Sequence, residues 1–160
     1  MRLAKVQKES YDEKEVLLHL KEIEENIDFK VIHKIYYPYF HFEFNVLTKG
    51  LMKKKITSGC VIDGVNGRGA LIDCEPGFNQ TPIEADQTIM EELTYGNAGE
   101  EAKQFMYRSA SIKLKSMSVP VLALKKKTFF YRPFYVVDDG DKRSNHLLTI
   151  DSITGNFHPI

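Results

Sequence analysis

The chain has 160 residues, with 22 Lys and Arg against 22 Asp and Glu, and is formally neutral at pH 7. Its hydrophobic content of 42% and charged content of 28% are ordinary for a globular protein and exclude wholesale disorder, which needs low hydrophobicity and a large net charge. Neutrality argues against a dedicated nucleic-acid binder, which relies on a basic excess, and no apolar run approaches the roughly 20 residues of a membrane span.

The N-terminal segment is basic, but no apolar stretch follows it, so it does not read as a secretory leader and the expected compartment is the cytoplasm. Ser10-Tyr-Asp-Glu13 has the spacing of a capping box, and Val16, Leu20, Ile23 and Ile27 then recur at helical spacing. The pattern predicts an amphipathic helix of about four turns.

Phe29 to Ile35 reads as a strand that Tyr36-Tyr37-Pro38 interrupts, because proline cannot donate to a sheet ladder. From Tyr39 the pattern alternates. Phe40, Phe42, Phe44 and Val46 point to one side; Tyr39, His41, Glu43 and Asn45 point to the other. Lys49-Gly50 and Lys53 to Lys55 form a turn, Ile56 to Asp63 a returning strand, Asn66-Gly67 a tight turn, and Ala70 to Ile72 a third strand.

Glu75 to Thr81 reads as a linker and Glu84 to Tyr95 as a helix, broken by Gly96-Asn-Ala-Gly99. A second helix follows over 99–113, with Ala102, Phe105, Met106, Ala110 and Ile112 inward. Strands are expected over Val119–Leu124, over Thr128–Val137 with an interruption at Pro133, and over His146–Asp151, with turns at Asp138–Asp141 and at Thr154-Gly155.

The two halves share short motifs. Tyr36-Tyr-Pro38-Tyr39 matches Tyr131-Arg-Pro133-Phe134 in kind, and Ile62-Asp63-Gly-Val-Asn66-Gly67 matches Ile150-Asp151-Ser-Ile-Thr154-Gly155. The expected fold is therefore α+β: two helix-plus-three-strand units forming antiparallel sheets packed against helices. Residues 1–75 make the first unit, 76–98 a linker with a short helix, and 99–160 the second unit. Such units are too small to bury both faces of a sheet separately, so they are expected to share one core.

A helix and three strands ending in Asp-x-x-Thr-Gly resembles the PepSY-type domain. Asp151-Ser-Ile-Thr154-Gly155 matches that ending and Asp63-Gly-Val-Asn66-Gly67 nearly does, over about 45 residues in each half. The resemblance implies a noncatalytic inhibitory or regulatory module. PepSY-type domains are typically extracytoplasmic, and the Tyr-x-Pro element lies outside their pattern.

The residues themselves carry little chemistry. Five histidines are scattered without metal-ligand or nucleophile–base spacing, and no serine sits in Gly-x-Ser-x-Gly. The Gly64-Val-Asn-Gly67-Arg-Gly69 stretch leads into a strand rather than a helix, so it reads as a hairpin and not as a phosphate loop. Cys60 and Cys74 flank that hairpin, as two packed thiols or a cross-strand disulfide. A basic run with Phe129, Phe130 and Tyr131 follows the acidic stretch around Glu91 and Glu92; it suits an acidic protein surface, the chain's own acidic segment or, less readily, a nucleic-acid platform of stacking rings and cations. No catalytic residue, metal or cofactor is assigned.

The candidate binding residues are the polar aromatic strip Tyr37, Tyr39, His41 and Glu43 with Tyr131 and Arg132 of the matching element. The expected function is a noncatalytic protein-interaction or regulatory module of accessory or inhibitor type, the partner being another protein or a second copy of the chain. The alternative is a small-ligand-binding protein or enzyme using a concave sheet face.

Overall fold

A computed structural model describes residues 1–48, 54–114, 120–140 and 147–159. The order of elements is β1 (Arg2–Gln7), α1 (Glu13–Ile23), β2 (Lys30–Thr48), β3 (Lys54–Asp63), β4 (Gly69–Ile72), β5 (Phe78–Ile83), α2 (Tyr95–Leu114), β6 (Val121–Asp138), β7 (Leu147–Asp151) and β8 (Phe157–Pro159). The class is α+β. The strand pairing is mixed rather than purely antiparallel, because Val6 of β1 pairs with Tyr131 of β6 in parallel. Among the described residues, no helix is long and apolar enough to cross a membrane. The expected turn at Lys49-Gly50 and Lys53, the inward side chains of Ala110 and Ile112, and the positions of Val119, Asp141 and His146 lie outside the described residues.

The chain divides into two compact units, one of Met1–Tyr37, Gly77–Ile89 and Tyr131–Ile160, the other of Pro38–Pro76 and Met90–Phe130. Strands β2 and β6 each contribute one part to each unit.

In the first unit, α1 buries Val16 and Leu20 against Tyr135 and Val137 of β6 and Ile150 of β7, with Tyr11, Phe29 and Val31 around them. Its N-cap is Asp12, two residues later than the sequence suggests. Asp12 Oδ1 accepts from the Glu15 amide at 2.9 Å, and Glu15 Oε1 accepts from the Asp12 amide at 3.4 Å. The amides of Ser10 and Tyr11 are engaged elsewhere, donating to the Ser152 carbonyl at 3.0 and 2.8 Å. The helix ends at Ile23, so Ile27 lies beyond it. Three elements have no counterpart in the sequence reading, one of them β8, which pairs with β7. The others are β1 and β5, which pair antiparallel from Arg2↔Ile83 to Gln7↔Phe78, β5 lying largely where a linker was expected.

In the second unit, β2 and β3 pair from Tyr39↔Asp63 to Thr48↔Lys54, and β4 pairs with β3. Phe40, Phe42, Phe44 and Val46 form one buried face with Cys60 and Ile62, as their alternation predicts. Helix α2 covers that face through Ala98, Ala102 and Met106. It begins at Tyr95, where Thr94 Oγ1 accepts from the Asn97 amide at 3.1 Å. The segment expected to be helical before it is instead a single 3₁₀ turn at Ala85–Gln87 and extended chain. The reason is competition for backbone donors: the amides of Glu92 and Leu93 go to the Gly64 carbonyl at 2.9 and 3.1 Å.

The prolines do not interrupt their strands. Pro38 and Pro133 are fully buried, each one residue before a ladder begins, at Tyr39↔Asp63 and at Phe134↔Asp151. A residue in that position uses its carbonyl and needs no amide proton. The Pro38 carbonyl accepts from the Gly64 amide at 2.9 Å, and the Pro133 carbonyl from the Ser152 amide at 3.3 Å.

The two turns that follow are bonded alike. Asp63 Oδ1 accepts from the amides of Val65 and Asn66, and Asp151 Oδ1 from that of Ile153. Gly67 and Gly155 donate to the carbonyls of Asp63 and Asp151, at φ of 77° and 75°. Asn66 Oδ1 accepts from the Arg68 amide, and Thr154 Oγ1 from the Asn156 amide. Each turn also meets the approach to a helix, Gly64 with the segment entering α2 and Ser152 with that entering α1.

Candidate functional site

The polar strip lies on the side of β2 away from α2, and its members differ in accessibility. Tyr39 is half-buried and stacks on Phe130 at 5.8 Å between ring centroids. Glu43 is half-buried and pairs with Lys125 at 3.6 Å. His41, between them, is only 1% exposed. It borders a cleft of about 40 Å³ shared with Glu43, Thr57, Ser58 and Gly59 and with the Ile72–Glu75 segment. That volume admits a water-sized group and no substrate.

Among the described residues His41 Nδ1 has no hydrogen-bond partner. Burial lowers its pKa from the ordinary 6.5, opposed by the carboxylates of Glu75 and Glu43 and reinforced by the Lys126 ammonium. Glu75 is itself bridged to Lys126 at 2.8 Å. Both cysteines are free. Cys60 is buried opposite Leu71, its thiol pushed up to about 12 by burial, and Cys74 is exposed. No group of three His, Cys, Asp or Glu side chains is placed to hold a metal ion among the described residues.

The remaining strip residues are in the first unit. Tyr37 meets Phe134 edge-on at 6.0 Å. Tyr131 is buried at 2% exposure, and its hydroxyl accepts from Arg2 Nη2 at 2.5 Å. Arg132 is held in a fork by Asp151: Nε donates to Oδ1 at 3.0 Å and Nη2 to Oδ2. That fork ties the β6 strand to the Asp151 turn, so Arg132 acts as a brace. No family model matches the chain, and neither a curated protein nor a solved structure matches it.

Two concavities of the first unit were not foreseen. The larger is a polar groove of about 470 Å³ whose lining includes Gln7, Lys8, Glu9, Lys34, Tyr36, Asn79 and Thr81. On its wall the Lys34 ammonium sits 2.5 Å from Glu9 Oε1, over the rings of Tyr36 and Tyr135 at 5.8 and 5.3 Å. The Tyr135 hydroxyl donates to the same Glu9 oxygen at 2.8 Å, and burial with that carboxylate raises its pKa. The second is a hollow of about 240 Å³ at the end of α1. Among the described residues it is lined by Leu20, Ile23, Ile27, Phe29, Leu148 and Phe157, with Glu24 and Asp139 as polar members.

The groove depends on β1 and β5, which carry little alternation to reveal them. The hollow left a trace in the sequence: Ile23, the last residue of α1, and Ile27 beyond it continue the apolar stripe of the helix.

Proposed function

We propose that the chain is a noncatalytic protein-interaction module of accessory or inhibitor type, with the hollow at the end of α1 as its docking site. The observation that carries this reading is an apolar concavity left open, with Ile23 46% and Phe157 42% exposed beside it. A pocket that accepts one large side chain is the usual anchor of a protein interface. The matched Asp turns and helix approaches support reading the chain as an internal duplication in which each helix packs on the hairpin of the other half. The Asp151 turn is the element shared with PepSY-type domains, whose regulatory character agrees with this reading. A cytoplasmic location is part of the same proposal.

The test compares partner capture by the wild type, Ile23→Glu, and Tyr39→Ala with Glu43→Ala. A partner lost only by Ile23→Glu supports the proposal. One lost only by the strip variant moves the contact to the sheet face, and no specific partner overturns the reading.

A second reading, binding of a small polar ligand, is favoured by the groove, whose 470 Å³ falls within the common range of ligand sites. Native mass spectrometry of the purified chain decides it. A retained small molecule released by Lys8→Glu would support ligand binding.

A further inference from the structure

The hollow's electrostatics are one-sided. Among the described residues its lining holds six apolar side chains and two carboxylates, Glu24 and Asp139, and no Lys, Arg or His. Glu24 is the C-cap of α1, where the carbonyl end of the helix adds partial negative charge. Among the described residues no hydrogen bond or ion pair engages the Glu24 side chain. Glu22, Glu25 and Asp28 are exposed on the same stretch of chain and, with Glu24, outnumber its exposed cations, Lys21 and Lys30. An apolar anchor entering here brings its flanking residues against an acidic lip. A basic flank gains from that contact, whereas an acidic flank meets like charge.

We propose that the hollow takes a large apolar side chain, aromatic or branched, from a partner segment in which Lys or Arg flanks that residue. This rests on the reading of the hollow as a docking site and specifies the partner's chemistry. The apolar lining supplies the anchor, and the lip sets the preference among anchors of the same size. The preference is electrostatic at an exposed rim and is therefore weakened by salt.

Methyl and aromatic NMR spectra of the full chain test this with three blocked pentapeptides, Gly-Arg-Phe-Arg-Gly, Gly-Gln-Phe-Gln-Gly and Gly-Glu-Phe-Glu-Gly, at millimolar concentration. The expected result is shifts centred on Ile23, Ile27, Leu148 and Phe157. The Arg peptide should bind about fivefold tighter than the Gln peptide at low salt and less than about twofold tighter at 0.5 M salt. Glu24→Lys, an exposed substitution, should erase the preference while keeping the shifts. Equal binding of all three peptides, or a preference for the Glu peptide, overturns the charge inference and leaves the docking site standing. Shifts absent from the hollow, or unchanged in Ile23→Glu, overturn the docking site and the inference together.

Discussion

Gly64 offers a quantitative test of how tightly an Asp turn is packed. A Cβ placed there would lie 2.9 Å from the Pro38 carbonyl oxygen and 3.1 Å from Pro38 Cβ. The first of these atoms is backbone and cannot rotate away. The equivalent residue in the other turn, Ser152, carries a side chain, and the structure shows how it fits. Its amide sits 3.3 Å from the Pro133 oxygen, against 2.9 Å for Gly64 and Pro38, and its hydroxyl donates to that oxygen at 2.6 Å. A side chain therefore costs a wider turn, which a hydroxyl offsets with a hydrogen bond. Gly64→Ala suffers overpacking of about 1–3 kcal/mol. Reduced unfolded-state entropy returns about 0.4–1 kcal/mol. The net loss is about 1–2 kcal/mol, or roughly 2–8 °C in Tm for a chain of this length. Gly64→Ser should recover about 1 kcal/mol of that through the hydroxyl. Urea unfolding of wild type, Ala and Ser variants measures both steps. Wild-type stability in the Ala variant, or equal losses for Ala and Ser, would refute the packing argument.

Three further outcomes are expected. Arg132→Ala should lose about 2 kcal/mol with the forked pair to Asp151, and Arg132→Lys should recover little of it, since an ammonium cannot span both oxygens; chemical denaturation measures both. Burial lowers the pKa of His41 in the folded state, so as pH falls the unfolded chain takes up a proton first. Its contribution to stability is complete above about pH 6.5 and is lost as pH falls below that value toward the lowered folded pKa. Unfolding midpoints between pH 7.5 and 5 should decline less in His41→Gln, and parallel declines would falsify that assignment. A thiol reagent at pH 8 should label Cys74 in the native chain and reach Cys60 only after unfolding. Rapid labelling of both would contradict the burial of Cys60.

What was legible in the sequence followed from strong local patterns. The alternation from Phe40 to Val46 identified the buried face of β2, and the Asp-x-x-Asn/Thr-Gly turns were readable because side-chain acceptors and a positive-φ glycine are local requirements. The sequence placed the N-cap of α1 at Ser10 because that residue looks like a cap. Its amide is committed to Ser152, more than a hundred positions away, and no local pattern encodes that. The expected helix over 84–95 failed for the same reason at Gly64. His41 shows the limit for the site. Alternation put it correctly on the face opposite the phenylalanines, but no local pattern shows that it is buried beside a small cleft shared with the Ile72–Glu75 segment.

The pairing of α1 with Tyr135, Val137 and Ile150 bears on biosynthesis. Val16 leaves the ribosome about 120 residues before Tyr135, which at about 5–20 residues per second is an interval of roughly 6–24 s. Through that time the nascent helix carries an uncovered apolar stripe, while the elements of the other unit are complete once Phe130 has been made. This helix is thus made well before the strands that bury it, and translation speed and chaperone access through that interval bear on the yield of folded chain.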